Sequence, residues 1–241
     1  MKISERDIEL LKHNTLFADL AAEDVSSVAP AIAVRLSEYK KDEHLAKAGG
    51  IVKNFGILLS GSAVSYIHLR NLPPHIVRFY QTHEMVCLEY AASAAAAPVS
   101  VIGTEPGRVL WMSYDKLFAA PPEAIRPPVK DRLHRNLLAI STSDTIRLEK
   151  IKHMMSMHGV RDRLLAYLLI VSETTGEQAF TVNLKQYEIA AFMGVSKTRL
   201  SVELRCLAEE GIVSYNAKKG RFSIKKDLTD CILLKGNGSD E

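Results

Sequence analysis

No stretch of the 241-residue chain approaches the roughly 20 consecutive apolar residues that a membrane-crossing helix needs, so no such helix is expected. Cysteine is scarce. Cys87, Cys206 and Cys231 lie far apart and make neither an even disulfide framework nor a metal knuckle; they read as free thiols. Histidines are equally dispersed: a catalytic cupin gathers a close His-x-His pair, a carboxylate and a third histidine around one metal, and His68, His75 and His83 lack that spacing. No metal site is expected, and no enzyme. The start, "MKISERDIELLKH", is charged and helical in pattern, unlike a secretory leader, which places the chain in the cytoplasm.

What is present describes an ordinary globular protein. A hydrophobic fraction of 47% with 24% charged residues lies far from the composition of disordered chains, and the length favours two domains. The charge is uneven. Net charge is only +3, yet residues 184–226 carry nine cations against four carboxylates, which puts a field attractive to polyanions on one end of the molecule.

Along the chain, "SERDIELLKHNTLFADLAAEDVSSVAPAI" holds two short helical stretches that break near Asp19 or Ala21, with Pro30 ending the second. The period then changes to short β-rich segments: "IAVRL", "NFGILLSG", "SAVSYIHL", "HIVRFYQ", "VSVIG" and "RVLWMS". Turn signals separate them at Gly49-Gly50, Gly61, Asn71 to Pro74 and Glu105-Pro106-Gly107, as in a sandwich or barrel-like roll. "EYAASAAAAPVS" interrupts the roll with a helical turn that Pro98 stops.

A long helix is expected from Pro127-Pro128 to about Met157. Leu133, Leu137, Ile140, Leu148, Ile151 and Met155 mark a narrow apolar stripe interrupted by Asp144, a pattern suited to a two-stranded seam and hence to a homodimer; packing on its own roll is the alternative. His158-Gly159 breaks the helix, and "VRDRLLAYLLIVSETTG" begins another, with Leu164, Leu165, Leu168 and Leu169 inward. The expected domains are therefore an effector-sensing roll, 1–126, a dimerisation helix, 127–157, and a C-terminal domain, 158–241.

The chemistry concentrates in "LKQYEIAAFMGVSKTRLSVELRCL". Ile189, Ala190 and Met193 form the inner face of a first helix, Gly194 supplies the turn, Ser196 caps a second helix, and Leu200, Leu204 and Leu207 anchor it. This is a helix-turn-helix, a unit that presents the first turns of its second helix to the DNA major groove. Lys197 and Arg199 can donate to guanine or phosphate, Thr198 can contact bases permissively, Ser196 serves phosphate and cap, and Val202 can touch a thymine methyl. "GIVSYNAKKGRFSI" reads as a hairpin wing whose Lys218, Lys219 and Arg221 add affinity without sequence information.

The order of parts (helical start, roll, long helix, winged helix-turn-helix) resembles the bacterial cyclic-AMP receptor protein and fumarate-nitrate regulator (Crp/Fnr) family of transcription factors over nearly the whole chain. "GVRDRLLAYLL" and "YEIAAFMGVSKTRLSVELRCLAEEGIV" carry the resemblance most specifically, with "LFADL" and "ILLSGSAVSYI" beside them. The resemblance implies an α+β fold: a cyclic-nucleotide-binding-like β-roll, a long dimerisation helix and a winged helix-turn-helix. It also implies a homodimer, a double-stranded DNA operator contacted in part by Gln186, RNA polymerase as a partner, and a small-molecule effector.

The sequence departs from the family where the cyclic phosphate is held. The family pairs a Gly-Glu-Leu turn with an Arg-Ser-Ala stretch; here stand Cys87-Leu88-Glu89 and Ala97-Pro98-Val99, with no arginine, and a buried phosphate without a partner would cost several kcal/mol. An effector other than cyclic AMP, a small organic molecule, is therefore expected near His83, Cys87, Leu88, Glu89, Tyr90, Pro98, Val99 and Leu137. An iron-sulfur cluster is not expected, since no cysteine precedes Cys87. A haem-dependent sensor of the same fold stays open through His83 and Cys87, as do a cupin-like metalloenzyme fused to a helix-turn-helix and a sensor that binds a protein in place of DNA.

Overall fold

A computed structural model describes residues 3–67, 75–182, 185–216, 220–226 and 228. Ser4 opens α1 (Glu5–Leu11) by accepting the Asp7 N–H at 3.2 Å, and Asn14 opens a single 3-10 turn, Thr15–Phe17, by accepting the Leu16 N–H at 2.8 Å. The next helix, α2 (Ala22–Ile32), does not stop at Pro30 as the sequence suggests but runs two residues further. Proline costs it one ladder bond, and the burial of Ala29 and Ile32 on either side outweighs that loss.

The roll follows: β1 (Ala33–Tyr39), β2 (His44–Ala46), β3 (Asn54–Ile67), β4 (His75–Tyr80), β5 (Met85–Val86), α3 (Leu88–Ser93), β6 (Ser100–Ser113) and α4 (Tyr114–Ala119). The strands pair antiparallel in the order β1-β6-β3-β4, with β2 added on β6 and β5 on β3. Period-two alternation gives the sheet two cores. Phe55, Ile57 and Leu59 of β3 face a cluster built with Leu16, Phe17, Val25 and Leu117, whereas Leu58 and Ala63 face the interior of the roll with Tyr80, Cys87, Val101 and Trp111.

Two expected turns are not turns. Gly61 lies inside β3, and Pro106-Gly107 inside β6, each strand running through 14 residues. Gly61 has φ +80° where the register shifts between Ser60 and Ser62, so its glycine freedom makes a bulge in place of a reversal. The phenol of Tyr39 donates to the Ser60 carbonyl at 3.2 Å and fills the dent. The Asn71–Pro74 turn and His68 fall outside the described residues.

A single helix, α5 (Pro127–Ser156), leads out of the roll. Its first half docks on the unit it belongs to: Leu133 and Leu137 are buried, and Asn136 donates to the carbonyls of Leu16 and Ala18, both at 2.9 Å. The chain divides into two compact units, Met1–Ser143 and Asp144–Glu241, so the division falls within α5 although the helix is continuous to Ser156. The second unit contains the end of α5, then α6 (Val160–Thr175), β7 (Ala179–Thr181), α7 (Gln186–Phe192), α8 (Lys197–Glu209), β8 (Val213–Asn216) and β9 (Arg221–Ile224). Its sheet has the order β7-β9-β8, a third strand joining the expected hairpin. Leu164, Leu165, Leu168, Leu200, Leu204 and Phe222 lie in the core of this unit.

Candidate nucleic-acid interface

The helix pair α7–α8 is fixed at three places by local chemistry. At the start of α7 the Lys185 N–H donates to the Glu188 carboxylate at 2.7 Å. Between the helices Gly194 takes φ +66°, which returns the chain so that the Val195 N–H reaches the Ala190 carbonyl at 2.9 Å. At the start of α8 the Ser196 hydroxyl accepts the Arg199 N–H at 3.2 Å, the cap expected from sequence.

Behind these caps one face of α8 is sunk and the other is free. Leu200 and Leu207 are fully buried and Leu204 nearly so, while Lys197, Thr198 and Arg199 are exposed and Val202 is 41% exposed. The first turn of α8 therefore carries two cations and a hydroxyl facing solvent, at the positive end of the helix dipole. Gln186 is half-buried at the first turn of α7, and the Ser201 hydroxyl donates to its Oε1 at 3.2 Å. Ser201 was not among the expected site residues; only its place one turn after Lys197 could have marked it.

Around the pair, Arg161 of α6 makes a two-pronged ion pair with Glu210 at the end of α8, and Arg163 donates to the carbonyls of Met157 and Met193. The wing is held by aromatic packing: Tyr215 and Phe222 stack with centroids 4.4 Å apart. Arg221 is exposed and lines an open cleft of about 340 Å³ with Ser214, Asn216 and Lys225. Lys218 and Lys219 lie outside the described residues.

The expected effector residues do not form one site. Cys87 and Val99 are packed inside the roll with Tyr90 at the edge of that cluster, whereas Leu88 and Leu137 belong to the cluster on the other face of the sheet; Glu89 and Pro98 are exposed. The reason is the turn into α3: Cys87 takes a left-handed backbone, φ +64°, just before the helix begins at Leu88, and the two neighbours point into different cores. His83 lies in the turn before β5 with φ +72°, its ring 5.2 Å from that of His13 and its Nδ1 buried without a hydrogen-bond partner.

Burial pushes the Cys87 thiol up to about 12, with the Glu89 carboxylate adding to the shift, and the same two causes push the Tyr90 phenol up to about 12. Spacing gave no sign of Arg78 on β4, whose guanidinium lies over the Tyr80 ring, 4.8 Å from its centroid, and 4.0 Å from Glu84. Among the described residues no three His, Cys, Asp or Glu side chains converge as a metal site, and no helix is long and apolar enough to cross a membrane.

The expected dimer stripe is also divided. Leu133 and Leu137 are buried in the core of their own unit and Ile140 packs against it, because the first turns of α5 must cover the roll. Met155 lies beside the Gly194 turn of its own unit, and Asp144 pairs with Arg147 one turn on at 3.5 Å. Ile151 is half-buried. Leu148 is 50% exposed, and so are two residues outside the expected stripe, Leu138 at 69% and Ile146 at 48%.

Comparison with known proteins agrees with this anatomy. Residues 162–226 match the Crp-like helix-turn-helix domain. Among solved structures, FixK2 from Bradyrhizobium japonicum superposes with a TM-score of 0.67 at 15% identity, over 87% of this chain and 100% of that one. A CooA mutant from Carboxydothermus hydrogenoformans gives 0.63 at 16% identity, over 86% and 90% of the two chains. CLP, the c-di-GMP-responsive global regulator of Xanthomonas campestris, gives 0.63 at 13%, over 86% and 100%. The search of curated proteins finds no match.

The capped two-helix unit with its wing is thus a Crp-like helix-turn-helix domain, preceded by a roll and a long helix. Over the rest of the chain the likeness to these structures is one of fold.

Proposed function

We propose that the protein acts as a homodimer that binds a specific double-stranded operator and is switched by a small organic effector other than cyclic AMP. The observation that carries the reading is the division of α8: three buried leucines on one face, and Lys197, Thr198 and Arg199 exposed on its capped first turn. In this reading Lys197 and Arg199 donate to guanine edges or phosphates, Thr198 and Val202 meet bases, and Arg221 and the wing lysines Lys218 and Lys219 hold the backbone. Leu138, Ile146 and Leu148 leave exposed apolar side chains along α5, surface that a second copy would cover.

The effector belongs to the roll. No guanidinium stands in the Ala97-Pro98-Val99 stretch, and Arg78 on β4, beside Tyr80, gives the roll a cation on a different strand. Effector binding acts by its differential affinity for two arrangements of the dimer, which changes the spacing of the two α8 starts and so the fit to an operator; RNA polymerase reads the result. The testing experiment measures binding of the full chain to a fluorescent duplex covering the region upstream of its own gene across a salt series. Tight binding to that duplex, with Lys197→Ala and Arg199→Ala each weakening it and each reducing the salt slope by about 1, is the expected result. Binding untouched by both substitutions refutes the reading.

A further inference from the structure

The contact between Gln186 and Ser201 joins the first turn of α7 to the middle of α8, the helix that the DNA-binding reading places in the groove. Its chemistry is directional. A serine hydroxyl has one proton and two lone pairs, and a glutamine amide has one acceptor end and one end that donates twice. Here the serine proton is spent on Gln186 Oε1 at 3.2 Å. What Ser201 retains toward its open side is lone pairs alone, and what Gln186 retains is the donating Nε2.

The surroundings keep the pair in this arrangement. Both residues are half-buried, Leu200 and Leu204 on either side of Ser201 are sunk in the core, and Ile189 and Ala190 hold α7 one turn beyond Gln186. Ser201 stands one turn after Lys197 and Thr198 and next to exposed Val202, so it shares the surface that carries the proposed reading residues. A free serine there would tolerate any base, since a rotating hydroxyl donates to guanine N7 or O6 and to thymine O4 as readily as it accepts from an amino group.

We propose that Gln186 fixes the polarity of Ser201, turning it into an acceptor that reads an exocyclic amino group, adenine N6 or cytosine N4, at one position of each half-site, while the amide Nε2 of Gln186 donates to a neighbouring phosphate oxygen. This inference rests on the DNA-binding reading and adds to it a specificity element distributed over both helices. Gln186 is the positioning residue and Ser201 the reading residue.

The test is selection of duplexes from a pool with a randomised core by the full chain, repeated with Gln186→Ala, Gln186→Glu and Ser201→Ala at one salt concentration. Wild type selects a half-site position restricted to adenine or cytosine on one strand. Gln186→Ala releases the serine proton, and that restriction relaxes by on the order of tenfold while the other positions keep theirs. Gln186→Glu keeps the acceptor, so the restriction survives although the carboxylate lowers overall affinity. Ser201→Ala abolishes it. A selected sequence that Gln186→Ala and Ser201→Ala leave unchanged at every position overturns the proposal and spares the DNA-binding reading; failure of the wild type to select any duplex overturns that reading itself.

Discussion

Arg163 donates from Nη1 to the carbonyl of Met193 at 3.0 Å, closing the end of α7 with a side chain from α6. The same guanidinium donates from Nε to the Met157 carbonyl at 2.7 Å, where α5 has just ended. One half-buried arginine therefore satisfies the exposed ends of two helices and ties the break at residues 157–159 to the turn that orients α8.

Arg163→Ala leaves both carbonyls without their charged donor. Hydrogen bonds to charged groups contribute about 1.5–3 kcal/mol each when buried, and partial exposure here reduces the pair to about 2–3 kcal/mol in total. Urea unfolding of the C-terminal unit should shift by that amount, with faster amide exchange at Gly194 and Val195. Unchanged exchange at these two amides rules out the tie.

Ser196 separates stability from recognition. Ser196→Ala removes the acceptor for the Arg199 N–H and should cost about 1 kcal/mol in stability. Ser196→Asp keeps an acceptor and adds a favourable charge at the helix start, so stability is retained, yet a carboxylate then faces the phosphates and DNA affinity drops about tenfold or more. Parallel measurements of thermal unfolding and duplex anisotropy check the two effects; a Ser196→Asp protein that binds as tightly as wild type contradicts the placing of this turn against DNA.

How much of this was legible in advance depended on how local the signal was. The α7–α8 pair was readable because each of its parts answers to a neighbour in sequence: Val195 to Ala190 across the Gly194 turn, Ser196 to Arg199, Leu200 to Leu204. The strands were found but cut in the wrong places, since Gly61 carries the same signal in a bulge as in a turn and only the long-range pairing of Ser62 with Glu105 distinguishes them. Leu133 and Leu137 were placed in a seam because a stripe on a helix does not say whether the roll or a second copy covers it. The expected effector residues are dispersed for a related reason: neighbours in sequence such as Cys87 and Leu88 face different cores, and Arg78 comes from a strand that spacing did not connect to them.

Gly61→Ala tests the bulge. An added Cβ would meet the Pro106 carbonyl oxygen at 2.7 Å and the Gly107 Cα at 2.8 Å, on a backbone whose φ of +80° already disfavours a side chain. The left-handed conformation alone costs roughly 1–2 kcal/mol and the backbone contacts add to it, so a loss of at least about 2 kcal/mol is expected in the unfolding of the roll. Trp111, packed in the roll interior, reports that transition by fluorescence.

Cys87 should be chemically silent in the folded protein. Its side chain is fully buried and its thiol is pushed up to about 12, first by burial and then by Glu89, so almost no thiolate exists at pH 8. In a Cys206→Ser, Cys231→Ser variant, a thiol reagent at pH 8 is expected to find no reactive group until denaturant is added, and then one. Rapid labelling without denaturant would mean that the roll opens far enough to expose its core.

The pair between Asp7 of α1 and Arg108 of β6 gives the roll a defined acid sensitivity. Arg108 reaches Asp7 Oδ1 at 2.9 Å and Oδ2 at 3.0 Å, and the Ser4 hydroxyl donates to Oδ2 at 2.7 Å. Burial pushes the carboxyl up, but the hydrogen bonds from Arg108 and Ser4 and the charge of Arg108 outweigh it and hold the group below the usual aspartate range. The folded pKa is thus depressed relative to the unfolded chain. Its contribution is fully present above the ordinary aspartate value of about 4 and is lost as pH falls through the lower folded value. Asp7→Asn keeps the shape and removes the charge, leaving the partly exposed Arg108 without its counter-ion, at a cost of about 1–3 kcal/mol at pH 7. Because the wild-type pair is itself discharged in acid, the difference between the two proteins should narrow from pH 7 to pH 3 in urea unfolding followed at Trp111. A difference that stays constant over that range shows that Asp7 acts through packing and not through its charge.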